Sequence, residues 1–222
     1  MPMNQIITID GPAGSGKSTV SRMLAKRIGF SYLDTGAMYR AVALAAKRQG
    51  VDVHDGDGLG KVCRALKLWF DREEDPPRLM LDNEDISDLI RSPELDMLAS
   101  AVSAVQEVRE AMADLQRRMA KEGGVVAEGR DMGTVVFPDA RWKFFLTAGA
   151  DTRAARRYRE RLQRGEAVTL EDVLEDLIRR DDQDRMRALS PLKPAKDAVI
   201  IDSTTLRAEA VVEQIVKDIK LS

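Results

Sequence analysis

The chain has 222 residues, 44% hydrophobic and 32% charged, which allows a packed core and argues against a disordered chain. Lys and Arg total 35 against 37 Asp and Glu, a formal charge of -2 that argues against a dedicated nucleic-acid binder. A single Cys excludes an intrachain disulfide framework and a Cys-based zinc cluster. No apolar run approaches the roughly 18 residues that span a bilayer. Met1 to Gln5 lacks the basic start and apolar stretch of a signal peptide. A soluble, cytoplasmic globular protein is expected.

Gln5 to Asp10 reads as a short buried strand stopped by Gly11-Pro12. Lys17 to Ile28 follows as a helix, with Val20, Met23, Leu24 and Ile28 on one face and Gly29 as its stop. A strand at Ser31 to Leu33 leads into Asp34-Thr35-Gly36, and an Ala-rich helix is expected from Ala37 to about Gln49. Val51 to Gly60 reads as a polar loop carrying a solvent-facing His54, and Cys63 as a core residue. Leu66 to Phe70 and Arg78 to Leu81 form an expected hairpin turning at Asp75-Pro76-Pro77. Trp69 and Trp142 read as packing residues. Helices resume from Pro93 to Lys121, broken near Ser103 to Gln106. Further strands are expected at Val125 to Ala127, Trp142 to Leu146 and Val199 to Ile201. A charged helical stretch, Asp151 to Leu189, precedes the last strand, and an amphipathic helix, Leu206 to Leu221, follows it. Strands alternating with helices imply an α/β fold, a parallel sheet of five strands flanked by helices and decorated by the hairpin.

Gly11-Pro12-Ala13-Gly14-Ser15-Gly16-Lys17-Ser18 fits G-x-x-x-x-G-K-[ST] at every fixed position, between an expected strand and an expected helix. Glycines let the backbone curl so that its N–H groups face phosphate oxygens, and the helix adds its positive dipole end. Lys17 is expected to reach the β- and γ-phosphates of a nucleotide and Ser18 to hold Mg²⁺, with Thr19 completing the ATP-binding stretch. A guanine-reading N/T-K-x-D element is missing after Leu146, where Thr147-Ala148-Gly149-Ala150-Asp151 stands, and so is a long strand ending in Asp-Glu. A kinase is favoured over a switch GTPase, motor or transporter ATPase.

Two arginine-bearing turns are expected at the same sheet edge: Asp34 to Arg40, with Thr35, Tyr39 and Arg40, and Glu128 to Thr134, with Arg130. Two fixed guanidiniums suit a monophosphate acceptor better than an alcohol. Arg153, Arg156, Arg157, Arg159, Arg161 and Arg164 load one helix, Arg153, Arg157, Arg161 and Arg164 sharing a stripe with Arg156 beside it. Gln163 to Glu166 then turns into a second helix, Thr169 to Arg187, a design suited to a lid that neutralises charge over ATP. Arg180, Asp184 and Arg187 face one way on it, able to read a sugar hydroxyl or base edge, or to form a surface ion-pair ladder.

The strings ITIDGPAGSGKST (Ile7 to Thr19), YLDTGAMYR (Tyr32 to Arg40), EGRDMGTVVFPDA (Glu128 to Ala140), RDDQDRMR (Arg180 to Arg187) and IDST (Ile201 to Thr204) together resemble bacterial cytidylate kinases along essentially the whole chain. The EGRDMGTVVFPDA string is far more selective than the cradle. The resemblance implies a single P-loop kinase domain over 1–222. Its core is expected at about 1–35, 106–150 and 190–222, a nucleoside-monophosphate-binding region with the β-containing insert at 36–105, and a lid at 151–189. It implies transfer of the ATP γ-phosphoryl to CMP or dCMP with Mg²⁺. Thr35, Tyr39, Arg40 and Arg130 would then hold the acceptor phosphate, Ser100, Arg109, Asp131 and Arg187 the cytosine, and Arg180 with Asp184 the sugar. Lys17, Arg130, Arg153, Arg157 and Arg161 would neutralise charge during transfer. Some family members carry Asp where Glu128 stands and Ser where Thr35 stands; both changes keep the functional group. ATP and CMP or dCMP are the expected partners of a monomer that engages neither nucleic acid nor membrane. Kinases for UMP, AMP or shikimate, and a non-catalytic ATP-dependent switch, remain the alternatives.

Overall fold

The computed structural model describes residues 5–220 and places them in two compact units, 5–33 with 123–220, and Asp34–Glu122. The first unit is built on a five-stranded sheet of β1 (Ile6–Asp10), β2 (Ser31–Asp34), β6 (Val125–Gly129), β7 (Trp142–Thr147) and β8 (Val199–Asp202). Its order is β2-β6-β1-β7-β8, with β1 parallel to β6 and β7, and β7 parallel to β8. β1 is central, and its successive residues Ile7 and Ile9 are fully buried along with Thr8, the mark of a strand covered on both faces. Helices α1 (Lys17–Ile28), α6 (Ala150–Gln163), α7 (Leu170–Met186) and α8 (Ala208–Lys220) complete this unit. Ile7, Ile9, Val20, Leu24, Val126, Phe144, Ile201, Val211 and Ile215 form its main core.

Local chemistry sets the element ends. Gly29 closes α1 in the left-handed region at φ 71°, where a residue with Cβ is strained, and its N–H donates to the Ala25 carbonyl. Thr169 and Asp172 cap each other at the start of α7 in a reciprocal box.

The second unit holds α2 (Thr35–Arg48), α3 (Gly56–Ala65), α4 (Pro93–Val102), α5 (Gln106–Met119) and an antiparallel sheet of β3 (Leu68–Asp71), β4 (Arg78–Leu81) and β5 (Glu84–Asp85). The expected hairpin is present, and a third, two-residue strand extends it. The expected loop 51–60 is a loop only as far as Asp55: α3 begins at Gly56, with the Asp55 carboxylate accepting from the Gly58 N–H at 2.9 Å. Gly56 and Gly60, which disguise this helix in the sequence, lie so close to Glu107 of α5 that an added Cβ would come within 2.8 Å and 3.2 Å of it. The structure groups α5 with this second unit, whereas 106–150 was expected in the core. α2 starts at Thr35 rather than Ala37, because the Asp34 carboxylate caps it by accepting from Ala37 N–H at 2.8 Å. Met132–Val136 form a π-helical turn on the Asp131 and Met132 carbonyls. His54 is exposed and Cys63 buried, as expected. Leu221 of the expected last helix lies outside the described residues. Among the described residues no helix is long and apolar enough to cross a membrane.

Candidate active site

The cradle Gly11 to Ser18 leaves the end of β1, the strand on which the sheet's connections diverge to either side, and enters α1. Register puts Asp10 beside Gly129 and Phe145, so the turns after β6 and β7 open at the same edge. Gly11 adopts φ 150°, and a Cβ there would sit 2.0 Å from the Leu146 carbonyl oxygen. Gly14, at φ 73°, packs against α6, where a Cβ would meet Arg153 at 3.0 Å. The Ser15 hydroxyl and the Lys17 ammonium both donate to the Pro12 carbonyl, at 3.0 and 2.7 Å.

Lys17 is 7% exposed. Burial, and then the guanidiniums of Arg130 and Arg180, push its pKa well below the ordinary lysine value, while Glu128 and Asp10 pull it back. Three of the expected site cations therefore act on one another at this edge, a repulsion that a polyphosphate would relieve.

Asp10 was not expected to contribute. Its two carboxylate oxygens accept separately from the N–H groups of Met132 (2.9 Å) and Gly133 (2.8 Å), fixing the turn that follows Arg130 and Asp131. Burial raises its pKa from 3.8 to about 6, outweighing those two bonds and the Lys17 charge, with Asp131 adding to the rise. An acid whose pKa rises on folding favours the folded state in its protonated form. That contribution is complete below pH 3.8 and is lost as pH climbs through 6. The stability of wild type minus that of Asp10→Asn should therefore fall by roughly 2.5 kcal/mol between pH 4 and 7. Urea unfolding at each pH reads this, and a flat difference would reject a raised Asp10.

Arg130 donates through Nε to Asp184 of α7 at 2.7 Å, and Asp184, with a 1% exposed side chain, also pairs with Arg187. Arg130, Asp184 and Arg187, assigned above to phosphate, sugar and base, thus form one charge chain. Asp131 is buried beside it and Arg180 lies one turn earlier on α7.

The expected lid is the pair α6 and α7. Arg157 pairs with Glu160 at 2.8 Å, and Arg161 with Glu166 at 2.7 Å and Asp176 at 3.4 Å. Arg153, expected among the charge-neutralising arginines, has a different setting. It is 5% exposed and donates to the Ala13 and Ala148 carbonyls while pairing with Asp181 at 2.6 Å. Its guanidinium is engaged within the protein, because α6 starts directly behind the cradle.

In the second unit Thr35 is buried at the start of α2. Arg40 lies 3.6 Å from both Asp34 and Asp96. The Arg109 guanidinium stands over the Tyr39 ring at 5.8 Å and donates to the Ser103 carbonyl at 3.0 Å. The Ser103 hydroxyl in turn donates to the carbonyl of Ser100. Tyr39, Ser100 and Arg109 are thereby brought together within this unit.

The family model for cytidylate kinase matches residues 7–221. The chain belongs to the cytidylate kinase family. It is 50% identical over 215 residues to a cytidylate kinase of Geobacter sp. strain M21, covering 97% of this chain and 92% of that one. It is 47% identical over 209 residues to one from Vibrio cholerae, covering 94% and 93%. A cytidylate kinase of Carboxydothermus hydrogenoformans is 44% identical over 211 residues, covering 95% of each chain. Among solved structures, a shikimate kinase from Bacteroides thetaiotaomicron aligns over 97% of this chain and 98% of its own, with TM-score 0.50 and 14% identity, a likeness of fold.

Within this cytidylate kinase family member, sequence reasoning left unassigned the residues that hold the site rather than line it: Asp10, Asp181, Arg156 and Ser203. An acid closing the apolar run Ile6 to Ile9 was a visible signal for Asp10. Tyr32, which donates to Glu128 at 2.5 Å, joins β2 to β6 in the same supporting way.

Proposed function

We propose that this protein transfers the γ-phosphoryl group of ATP to CMP or dCMP, giving ADP and CDP or dCDP. The observation that carries the reading is family membership over residues 7–221, a match that takes in the cradle and both arginine-bearing turns. Gly11, Pro12, Ala13, Gly14, Ser15, Gly16, Lys17, Ser18 and Thr19 bind ATP. Thr35, Tyr39, Arg40 and Arg130 hold the acceptor phosphate, Ser100, Arg109, Asp131 and Arg187 the base, and Arg180 with Asp184 the sugar.

A nucleotide monophosphate is largely ionised at neutral pH, so its oxygen needs no general base. The protein has to align two anions, offset their repulsion and exclude water. Lys17 and Arg130 supply fixed positive charge from the sheet edge, and Arg157 and Arg161 supply it from the lid. The Ser18 hydroxyl, exposed in the first turn of α1, is a hard oxygen donor of the kind Mg²⁺ takes, and would hold that ion. Mg²⁺ bound there would neutralise phosphate charge.

Cytosine offers an amino donor at C4 beside acceptors at N3 and O2, which a carboxylate paired with an arginine satisfies. The C4 carbonyl of uracil would face that carboxylate with no donor between them. ADP release from MgATP should accordingly be fast with CMP and dCMP and at least ~100-fold slower in kcat/KM with UMP. Equal rates for CMP and UMP would overturn the base assignment. A faster reaction with AMP or shikimate, or no ADP release with any acceptor, would overturn the proposed activity.

A further inference from the structure

Arg156 lies one turn beyond Arg153 on α6, and the reading above gives it no task. It is half-buried, and its guanidinium reaches the Ser203 hydroxyl at 3.0 Å, the Ser203 carbonyl at 2.5 Å and the Ser15 carbonyl at 3.4 Å. The Ser203 hydroxyl, just after β8, itself donates to the Ser15 carbonyl at 3.0 Å and also lies 3.1 Å from the Thr147 carbonyl. A side chain from a helix and one from a strand end thus grip one peptide of the cradle. Arg153 repeats the device two peptides earlier, donating to the Ala13 carbonyl at 3.0 Å.

A trans peptide is planar, so a carbonyl and the N–H of the next residue point in opposite directions. Holding the Ser15 carbonyl towards α6 and Ser203 turns the Gly16 N–H the other way, and holding the Ala13 carbonyl does the same for the Gly14 N–H. Gly14 and Gly16 have left-handed φ values of 73° and 91° and no side chain to lock them, so their peptides would otherwise rotate.

We propose that Arg156 and Ser203 are positioning residues that clamp the Ser15 carbonyl and so preset the Gly16 N–H as a phosphate donor. The clamp rests on the reading of Gly11 to Ser18 as the ATP cradle. A preset donor binds phosphate without first having to be ordered, so the clamp acts on ATP and not on the acceptor.

The test is a double-mutant cycle on full-length protein with Arg156→Ala, Ser203→Ala and the double variant, read by MgATP titration calorimetry and by steady-state kinetics varying ATP and CMP separately. Each single change should weaken ATP binding and raise KM for ATP by about 3- to 10-fold, with KM for CMP unchanged. Both act on one carbonyl, so the double variant should be little worse than the poorer single. Amide hydrogen exchange at Gly16 should rise in all three. Effects that multiply in the double variant would overturn the clamp. So would Ser203→Ala binding ATP as wild type does while Arg156→Ala loses affinity, since Arg156 would then meet ATP directly. Lys17→Met separates the underlying reading: if it binds MgATP as tightly as wild type, the cradle assignment fails and takes the clamp with it. Should Arg156→Ala not fold, Arg156→Lys replaces it in the cycle. Lysine's single ammonium lacks the planar fork with which arginine spans the Ser203 and Ser15 groups, so partial loss of ATP affinity is expected, and full retention would overturn the proposal.

Discussion

Gly11→Ala should destabilise the protein by at least ~4 kcal/mol, or prevent it from folding, and should abolish ATP binding. The added Cβ would lie 2.0 Å from the carbonyl oxygen of Leu146, on the neighbouring strand β7. That oxygen is backbone held in the centre of a sheet and cannot swing aside as a flexible side chain would. Relief requires β1 and β7 to part, which opens the core around Ile9, Phe144 and Leu146. Strain alone is not the cause, and a second glycine separates the two effects. Gly29 also has a left-handed φ, 71°, but a Cβ there meets nothing within 4 Å. Gly29→Ala should therefore cost only ~1 kcal/mol, the conformational penalty without a clash. Urea midpoints of the two variants test this, and similar losses for both would mean that the cradle's close approach to β7 does not govern stability.

The sequence was legible wherever one physical signal dominated a segment. The runs Ile6 to Ile9, Val125 to Ala127 and Trp142 to Leu146 were mostly apolar, interrupted only by Thr8 and Lys143, short and bounded by turn residues, and each is a strand of the main sheet. The cradle was legible because its glycines and Lys17 stand at fixed spacing between a strand and a helix. α3 was half hidden because Gly56, Gly58 and Gly60 imitate a loop, and the reason for two of them, contact with Glu107 on α5, is a tertiary fact. β5 was too short, at two residues, to carry a period. The arginine helix α6 was read as a stripe of like charges facing one ligand. In the structure Arg153 and Arg156 turn to the cradle's backbone while Arg157 and Arg161 find acids of α6, α7 and the turn between them. Helical spacing tells which arginines share a face and not whether that face meets carbonyls, carboxylates or phosphate. Partners such as Asp181 and Asp184 come from a helix whose docking the sequence does not encode locally.

Asp184 and Arg130 should give opposite orders of effect on stability and on catalysis. Asp184→Ala removes a carboxylate with 1% exposure that stands between two guanidiniums, Arg130 and Arg187, whose side chains are 19% and 9% exposed. Both cations would keep their desolvation while losing the charge that offset it, so a loss of ~3 kcal/mol or more is expected. Arg130→Ala leaves Asp184 paired with Arg187, so no buried charge is stranded, and ~1 kcal/mol is the expected loss. In catalysis the order reverses. If Arg130 binds the acceptor phosphate, its removal should lower kcat/KM for CMP by ~10³ or more. Asp184→Ala, assayed at a temperature where it remains folded, should lose less, since Arg130 is displaced and not absent. Because the two side chains share a contact, the double variant should be less destabilised than the sum of the singles. If Arg130→Ala kept wild-type kinetics while Asp184→Ala unfolded, Arg130 would be a counter-ion for α7 and the acceptor phosphate would have to be held by other residues.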